Sequence, residues 1–240
     1  VSEATPGGEN EDFVAAGPGW VVLLDGATAP PGVDSGCRHD PAWLARGIGG
    51  RLAALLAPED GRPLPGLVAE AIEATAAAHA GTCDLANPDS PSATVSLLRR
   101  RDEVVEWFVL ADSPILLDAG KVRVVRDDRV DHLPSYTVEA VRAARNSPGG
   151  FWVAAADPGA AFQGLTGEVP VRGLRRAAVL SDGASRLVER FGRMGWDDLL
   201  GLLDEHGPRE LVRRTREAEA ADTIPRVKRY DDATAVLVRF

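Results

Sequence analysis

Apolar runs fill the middle of the chain, and helical spacing dominates its flanks. The stretch WVVLL at 20–24 is apolar throughout, as a strand buried on both faces is, and it runs straight into Asp25-Gly26. After a Pro/Gly-rich loop at 27–39, Asp40-Pro41 reads as an N-cap followed by proline at the first helical position. Trp43, Leu44, Ile48, Leu52, Leu55 and Leu56 then recur at helical spacing, which predicts a helix over 41–56. A second helix fits 64–80, with Leu67, Val68, Ala71, Ile72 and Thr75 along one side. Four strand patterns follow in close order: SATVSLLRR (92–100), EVVEWFVLA (103–111), PILLDAG (114–120) and KVRVVRD (121–127). Asp118-Ala119-Gly120 marks a tight turn between two of them, and such short connections imply antiparallel pairing. Residues 136–146 suit a short helix, whereas 147–173 are rich in Gly and Pro and show no period. A strand at 177–181 runs into Ser181-Asp182-Gly183 and a helix at 184–191; helices at 196–205 and 208–221 and a terminal strand, ATAVLVRF, complete the chain.

Helices and strands are thus segregated rather than alternating, which predicts an α+β sandwich of antiparallel sheets, not a doubly wound sheet. No linker divides residues 1–240, so one domain is expected. The formal net charge of −9 and the pI near 5.0 argue against nucleic acid or an anionic membrane as partner. They leave a phosphorylated substrate open, because bound cations can supply positive charge. No apolar run of about 18 residues is present, as a transmembrane helix requires. The polar start VSEATPGGENED has neither the basic nor the apolar region of a signal peptide, so a cytoplasmic protein with a trimmed start at Val1 is expected. Cys37 and Cys83 form no C-x-x-C and read as free thiols in a reducing compartment; Cys37-x-His39 shows no second ligand pair and is not read as a zinc site.

Four acidic sites stand beside predicted strands: NEDF (10–13), LLDGA (23–27), LSDGA (180–184) and YDDAT (230–234). Carboxylates gathered at strand ends repel one another unless a cation joins them, and an all-oxygen donor set suits hard ions such as Mg²⁺ or Mn²⁺. A glycine after the acid permits a sharp turn.

An early NED, an apolar strand ending in DG, a mid-chain DS in LADSP, a late SDG and a final DD-x-T before the terminal strand form an ordered series. Across residues 10–240 this series resembles the metal-dependent (type 2C, PPM) protein phosphatases, as a divergent bacterial member. The resemblance implies a four-layer αββα sandwich with a binuclear Mn²⁺ or Mg²⁺ centre at one edge. By position, Asp25 resembles the carboxylate that bridges both ions, with the Gly26 carbonyl reaching one of them. Asp182 and Asp231 resemble the remaining ligands of the first ion. Glu11 serves the second ion and Asp12 supports it. Asp112 matches the acid that helps hold a weaker third ion, and Asp232 and Thr234 complete the last motif. The implied reaction is hydrolysis of phosphoserine or phosphothreonine in a protein by a water activated between two ions.

The chain departs from the family pattern around the phosphate. No Arg precedes the Glu11-Asp12 pair, Ala27 replaces a residue that can act as general acid, and Pro114 replaces another Arg. Arg38 and His39, in the loop after Asp25-Gly26, are the candidate replacements, one as phosphate ligand and the other as proton donor. A non-catalytic, partner-binding phosphatase relative and a hydrolase of small phosphorylated metabolites are the alternatives. The charge runs RRRDE (99–103) and RELVRRTREAEAAD (209–222) read as a solvated turn and an exposed helix face.

Overall fold

Strands that are apolar at both parities are stable only in a sheet covered on both sides. The computed structural model, which describes residues 1–27, 29, 32–224 and 228–240, has that arrangement. One sheet runs β1 (Ser2–Glu3), β12 (Ala233–Arg239), β11 (Arg176–Leu180), β8 (Ile115–Asp118) and β9 (Val122–Val125). The other runs β10 (Leu165–Pro170), β7 (Val104–Leu110), β6 (Val95–Arg101), β3 (Trp20–Leu24) and β2 (Phe13–Gly17). A two-stranded ribbon joins β4 (Gly26–Ala27) to β5 (Ser92–Ala93). Every ladder among the described residues is antiparallel.

Alternate residues of each strand go to different layers. Val21, Leu23, Trp107 and Val109 meet Ile115, Leu117, Ala177 and Val179 between the sheets. Their neighbours Val22, Leu24, Leu97, Phe108 and Leu110 face outward, under α1 (Pro41–Leu56) and α2 (Leu64–His79). On the opposite side Leu116, Ala178, Leu180 and Ala235 are covered by α4 (Asp182–Glu189), α5 (Trp196–His206) and α6 (Pro208–Ala221). The result is the expected αββα sandwich. A short α3 (Val138–Ala144), capped by the Thr137 side chain, lies at the periphery. No described helix is long and apolar enough to cross a membrane.

The Asp40 carboxylate caps α1 by accepting from Trp43 N at 2.7 Å, at the place its sequence predicts. The two-residue strands β1 and β4 and the longer β2 and β10 lack a clear sequence signal. β2 is too short and Ala/Gly-rich to show a period. β10 lies in the Gly/Pro-rich stretch and ends at Pro170 on a sheet edge, where a missing N–H costs no ladder bond. The predicted strand 92–100 is two strands, broken at Thr94. Nor is the 99–103 run fully solvated: Arg99 is buried and its guanidinium pairs with Glu106 at 2.7 Å.

Phe108 is fully buried under the α1–α2 layer. Phe108→Ala is expected to cost about 3–5 kcal/mol by leaving a cavity. It should appear as a lower urea midpoint at unchanged m value; a loss below about 1 kcal/mol would show that this layer is not close-packed.

Candidate active site

Several strand ends meet at one end of the sandwich. β2 begins where β3 ends, since Phe13 pairs with Leu24; β12 begins where β11 ends, since Leu180 pairs with Ala235; β7 ends opposite the start of β6, since Leu110 pairs with Val95. Asp12, Asp25, Asp112, Asp182, Asp231 and Asp232 all lie just beyond these ends.

The backbone around each acid is clamped. Asp25 N donates to Thr94 Oγ1 at 3.1 Å, and Thr94 N donates back to Asp25 O at 2.9 Å. The Thr94 hydroxyl in turn meets that of Ser113 at 2.7 Å, which explains the break between β5 and β6. Ser181 and Thr234 zip the other pair of ends: Ser181 N donates to Thr234 O and Thr234 N to Ser181 Oγ, both at 2.9 Å. Asp182 N donates to Asp25 Oδ2 at 3.2 Å and so links the two halves of the cluster directly. Asp232 accepts from Thr5 N at 2.6 Å and Glu11 N at 2.7 Å, fixing the N-terminal segment.

Two glycines are required by close approach. A Cβ at Gly26 would lie 2.8 Å from Glu11 O and 3.0 Å from Pro41 Cβ; one at Gly183 would lie 1.9 Å from Asp232 O. The glycine after each acid therefore lets another acidic segment pack against it, which brings Glu11 beside Asp25-Gly26 and Asp231-Asp232 beside Asp182-Gly183.

Burial and mutual repulsion raise the proton affinity of the cluster. Asp25 is held well above the ordinary carboxylate range by burial, then by Asp12, Asp182, Asp231 and Asp112; none of these neighbours is positive. Asp12 is pushed up to about 7, chiefly by burial, with Asp182 and Asp232 adding to it. The Thr234 and Ser181 hydroxyls lie near enough to offset part of that shift. Neither Asp12 oxygen, however, makes a hydrogen bond of good geometry. Asp182 and Asp231 are raised by burial first and then by neighbouring carboxylates, against the pull of Arg186 and Lys228. Asp112 is raised by burial and sits in the field of Arg126, Glu189 and Asp131. Glu11, Asp12, Asp25, Gly26, Asp112, Asp182 and Asp231 are thus gathered at one edge.

No protein-family model matches the chain, and no curated protein matches it. Solved structures do. The Mycobacterium tuberculosis serine/threonine phosphatase PstP/Ppp aligns with a TM-score of 0.63 at 20% identity, over 99% of this chain and 95% of that one. The PstP catalytic domain in complex with two manganese ions aligns with a TM-score of 0.61 at 20% identity, over 99% and 94% of the two chains. Stp1 from Staphylococcus aureus aligns with a TM-score of 0.64 at 12% identity, over 100% and 93%. The chain has the serine/threonine phosphatase fold.

This version of the phosphatase fold carries cations that a reading of its motifs misses. Asp231 is paired with both Arg186 and Lys228. Arg186 also bonds Glu219 at 2.6 Å, and Arg216 bonds Glu219 at 2.8 Å. Glu219 is fully buried, so α6 is not simply an exposed charged face. The signal was available: Leu211, Val212, Thr215, Ala218 and Glu219 form one helical stripe, and all five are buried. Ion pairs such as Arg213–Glu217 do occupy the outer side.

Arg38 and His39 differ from each other. Arg38 is exposed, and its charge acts on Cys37. His39 stacks on Trp43, and its Nδ1 faces the Cys37 and Cys83 thiols at 3.6 and 3.4 Å. That nitrogen is engaged with the two thiols, which leaves Nε2 as the ring's other polar atom. The Pro30-Pro31 pair of this loop lies outside the described residues.

Because folding raises the Asp12 pKa to about 7, the stability it contributes is present below its ordinary value of 3.8 and is lost as the pH rises through about 7. With chelator present, Asp12→Asn should therefore gain stability relative to wild type between pH 4 and pH 7.5, by about 3–4 kcal/mol. Urea titrations at both pH values measure this. A difference that does not change with pH would mean that Asp12 titrates normally.

Proposed function

We propose that the chain is a metal-dependent phosphomonoester hydrolase, a PPM-type phosphatase of phosphoserine and phosphothreonine in proteins. The observation that carries the reading is the Asp25 environment: a carboxylate at the centre of the phosphatase fold's acid edge whose strongest charged neighbours are all acids. An all-oxygen, cation-deficient donor set fits Mn²⁺ or Mg²⁺. Asp25, Asp182 and Asp231 would hold one ion. Asp25, Glu11 and the Gly26 carbonyl would hold a second, supported by Asp12, and Asp112 would help hold a weaker third. Divalent ions in such a site supply an activated water and offset charge on the phosphoryl oxygens.

The chain's own residues prepare that site. The Asp182 N–H orients Asp25. Arg186, buried against Asp231 and Glu219, favours the ionised form of Asp231. Lys228 does the same from a side chain that is 55% exposed, so it can swing away and free an Asp231 oxygen. Arg38, on the loop that follows Asp25-Gly26, is the residue that would grip a phosphate with two parallel hydrogen bonds. The setting we infer is the cytoplasm of a bacterium.

The test is hydrolysis of p-nitrophenyl phosphate, a phosphothreonine peptide and a panel of phosphorylated metabolites with Mn²⁺ present. Activity on the peptide should be abolished in Asp25→Asn and Asp182→Asn, whereas Arg38→Ala should mainly raise its KM. Activity confined to metabolites would replace the protein substrate with a small one. A further expectation concerns Lys228, which competes with a cation for Asp231. Lys228→Ala should lower the Mn²⁺ concentration for half-maximal activity about fivefold, equivalent to about 1 kcal/mol. An unchanged or higher Mn²⁺ requirement would mean that Lys228 does not oppose the ion.

The double cationic pairing of Asp231 also favours a second reading, a partner-binding protein that keeps the phosphatase fold without turnover. Wild-type protein that binds Mn²⁺ by calorimetry but hydrolyses none of the substrates would establish it.

A further inference from the structure

A second constellation of metal-ligating side chains lies outside the acid edge. Cys37 and His39 stand in the loop before α1, His79 is the last residue of α2, and Cys83 is in the turn that follows. One ligand atom from each lies within 4.8 Å of the others. The expectation that Cys37-x-His39 lacks a second pair is corrected here, because His79-x3-Cys83 supplies it from 40 residues downstream of His39. The pattern C-x-H…H-x3-C has the short internal spacings of a zinc site. It escapes notice in the sequence because its halves are separated by two helices.

We propose that Cys37, His39, His79 and Cys83 form a four-coordinate zinc site that pins the loop following Asp25-Gly26 to the end of α2. The geometry is close to what zinc needs. Zn–S bonds of about 2.3 Å and Zn–N bonds of about 2.0 Å at tetrahedral angles give sulfur–nitrogen edges of about 3.5 Å. The measured edges are Cys37 Sγ to His39 Nδ1 at 3.6 Å, Cys37 Sγ to His79 Nδ1 at 3.5 Å and Cys83 Sγ to His39 Nδ1 at 3.4 Å. The two sulfurs are 2.8 Å apart and unbonded. A zinc tetrahedron sets that edge at about 3.8 Å, so ion binding would part them by about 1 Å.

The surroundings support a closed, structural site. Trp43 stacks on His39 at a ring distance of 4.0 Å and lies 4.9 Å from His79, which shields one side. His79 is nearly fully buried, and its Nε2 finds no hydrogen-bond partner, so the cluster thiols are what its ring meets through Nδ1. Backbone bonds hold the two segments together independently: Asp84 N donates to Gly36 O at 2.8 Å and Asn87 Nδ2 to Asp34 O at 3.1 Å. Four protein ligands leave no open position for substrate. The soft sulfur and imidazole donors also separate this site chemically from the all-carboxylate edge, so the two can take different metals.

Metal analysis of the protein purified without chelator tests the proposal. About one zinc per chain is expected. It should be retained in Asp25→Asn, which disables the acid edge, and its affinity should fall at least about hundredfold in Cys83→Ser. Removing zinc from wild type should lower its Tm. Titration of the metal-free wild type with Co²⁺ needs no variant and covers the case in which Cys83→Ser fails to fold. Strong tetrahedral d–d absorption with sulfur-to-cobalt charge transfer supports the site, and only weak octahedral absorption overturns it. Zinc lost in Asp25→Asn but kept in Cys83→Ser would assign the ion to the acid edge instead. A mass two hydrogens lower, with no zinc and no reactive thiol, would show a Cys37–Cys83 disulfide and overturn the proposal. Neither result bears on phosphatase turnover, which is read separately with Mn²⁺.

Discussion

Mutual repulsion among carboxylates at one end of a β-sandwich is the constraint around which this chain is organised. Asp12 is buried and Asp25 and Asp182 are half-buried; Asp182 raises the proton affinity of the other two and Asp112 raises that of Asp182, and the fold must hold them there against that repulsion. It does so with hydrogen bonds to the backbone: Thr94 on Asp25, Ser181 on Thr234, and the Asp232 carboxylate on the amides of Thr5 and Glu11. Asp231 is paired directly with cations, through Lys228 and the buried Arg186–Glu219–Arg216 network, and the same Arg186 and Lys228 act on Asp182 from further away. The cluster is uneven as a result: Asp231 has direct ion-pair partners, whereas the strongest charged neighbours of Asp25 are all acids.

The sandwich makes such a site affordable. Strands apolar on both faces bury three separate layers, one between the sheets and one under each set of helices. That burial holds the strand ends in register while the acids at their tips oppose each other. The glycines at 26 and 183 matter for the same reason. They let the strand-end backbones approach within contact distance, where any side chain would force them apart.

The two side-chain clusters offer donor sets of opposite character, hard oxygen at the sandwich edge and soft sulfur with imidazole between loop and helix end. The stretch from Asp25 to Asp40 touches both. Its first residue belongs to the acid edge, its last caps α1, and Cys37 and His39 tie it to α2.

Much of this was written in local patterns. Two-sided apolar strands and one-sided helices need no partner to be read, because the period reflects the neighbours each face will meet; α1 and α6 begin and end where cap and period place them. The order of the acids was legible too, as was the glycine after two of them. Their convergence was not, because it depends on which strand ends pair across a sheet, as Leu180 does with Ala235, and on contacts such as Asp182 N to Asp25 that join residues distant in the chain. The same holds for Glu219, whose burial follows from what α6 packs upon, and for Cys37, His39, His79 and Cys83, which two intervening helices bring together. Composition and period decide what each segment can bury. Only the closed sandwich decides which charges and ligands end up sharing a space, since that is set by long-range pairing and not by any local preference.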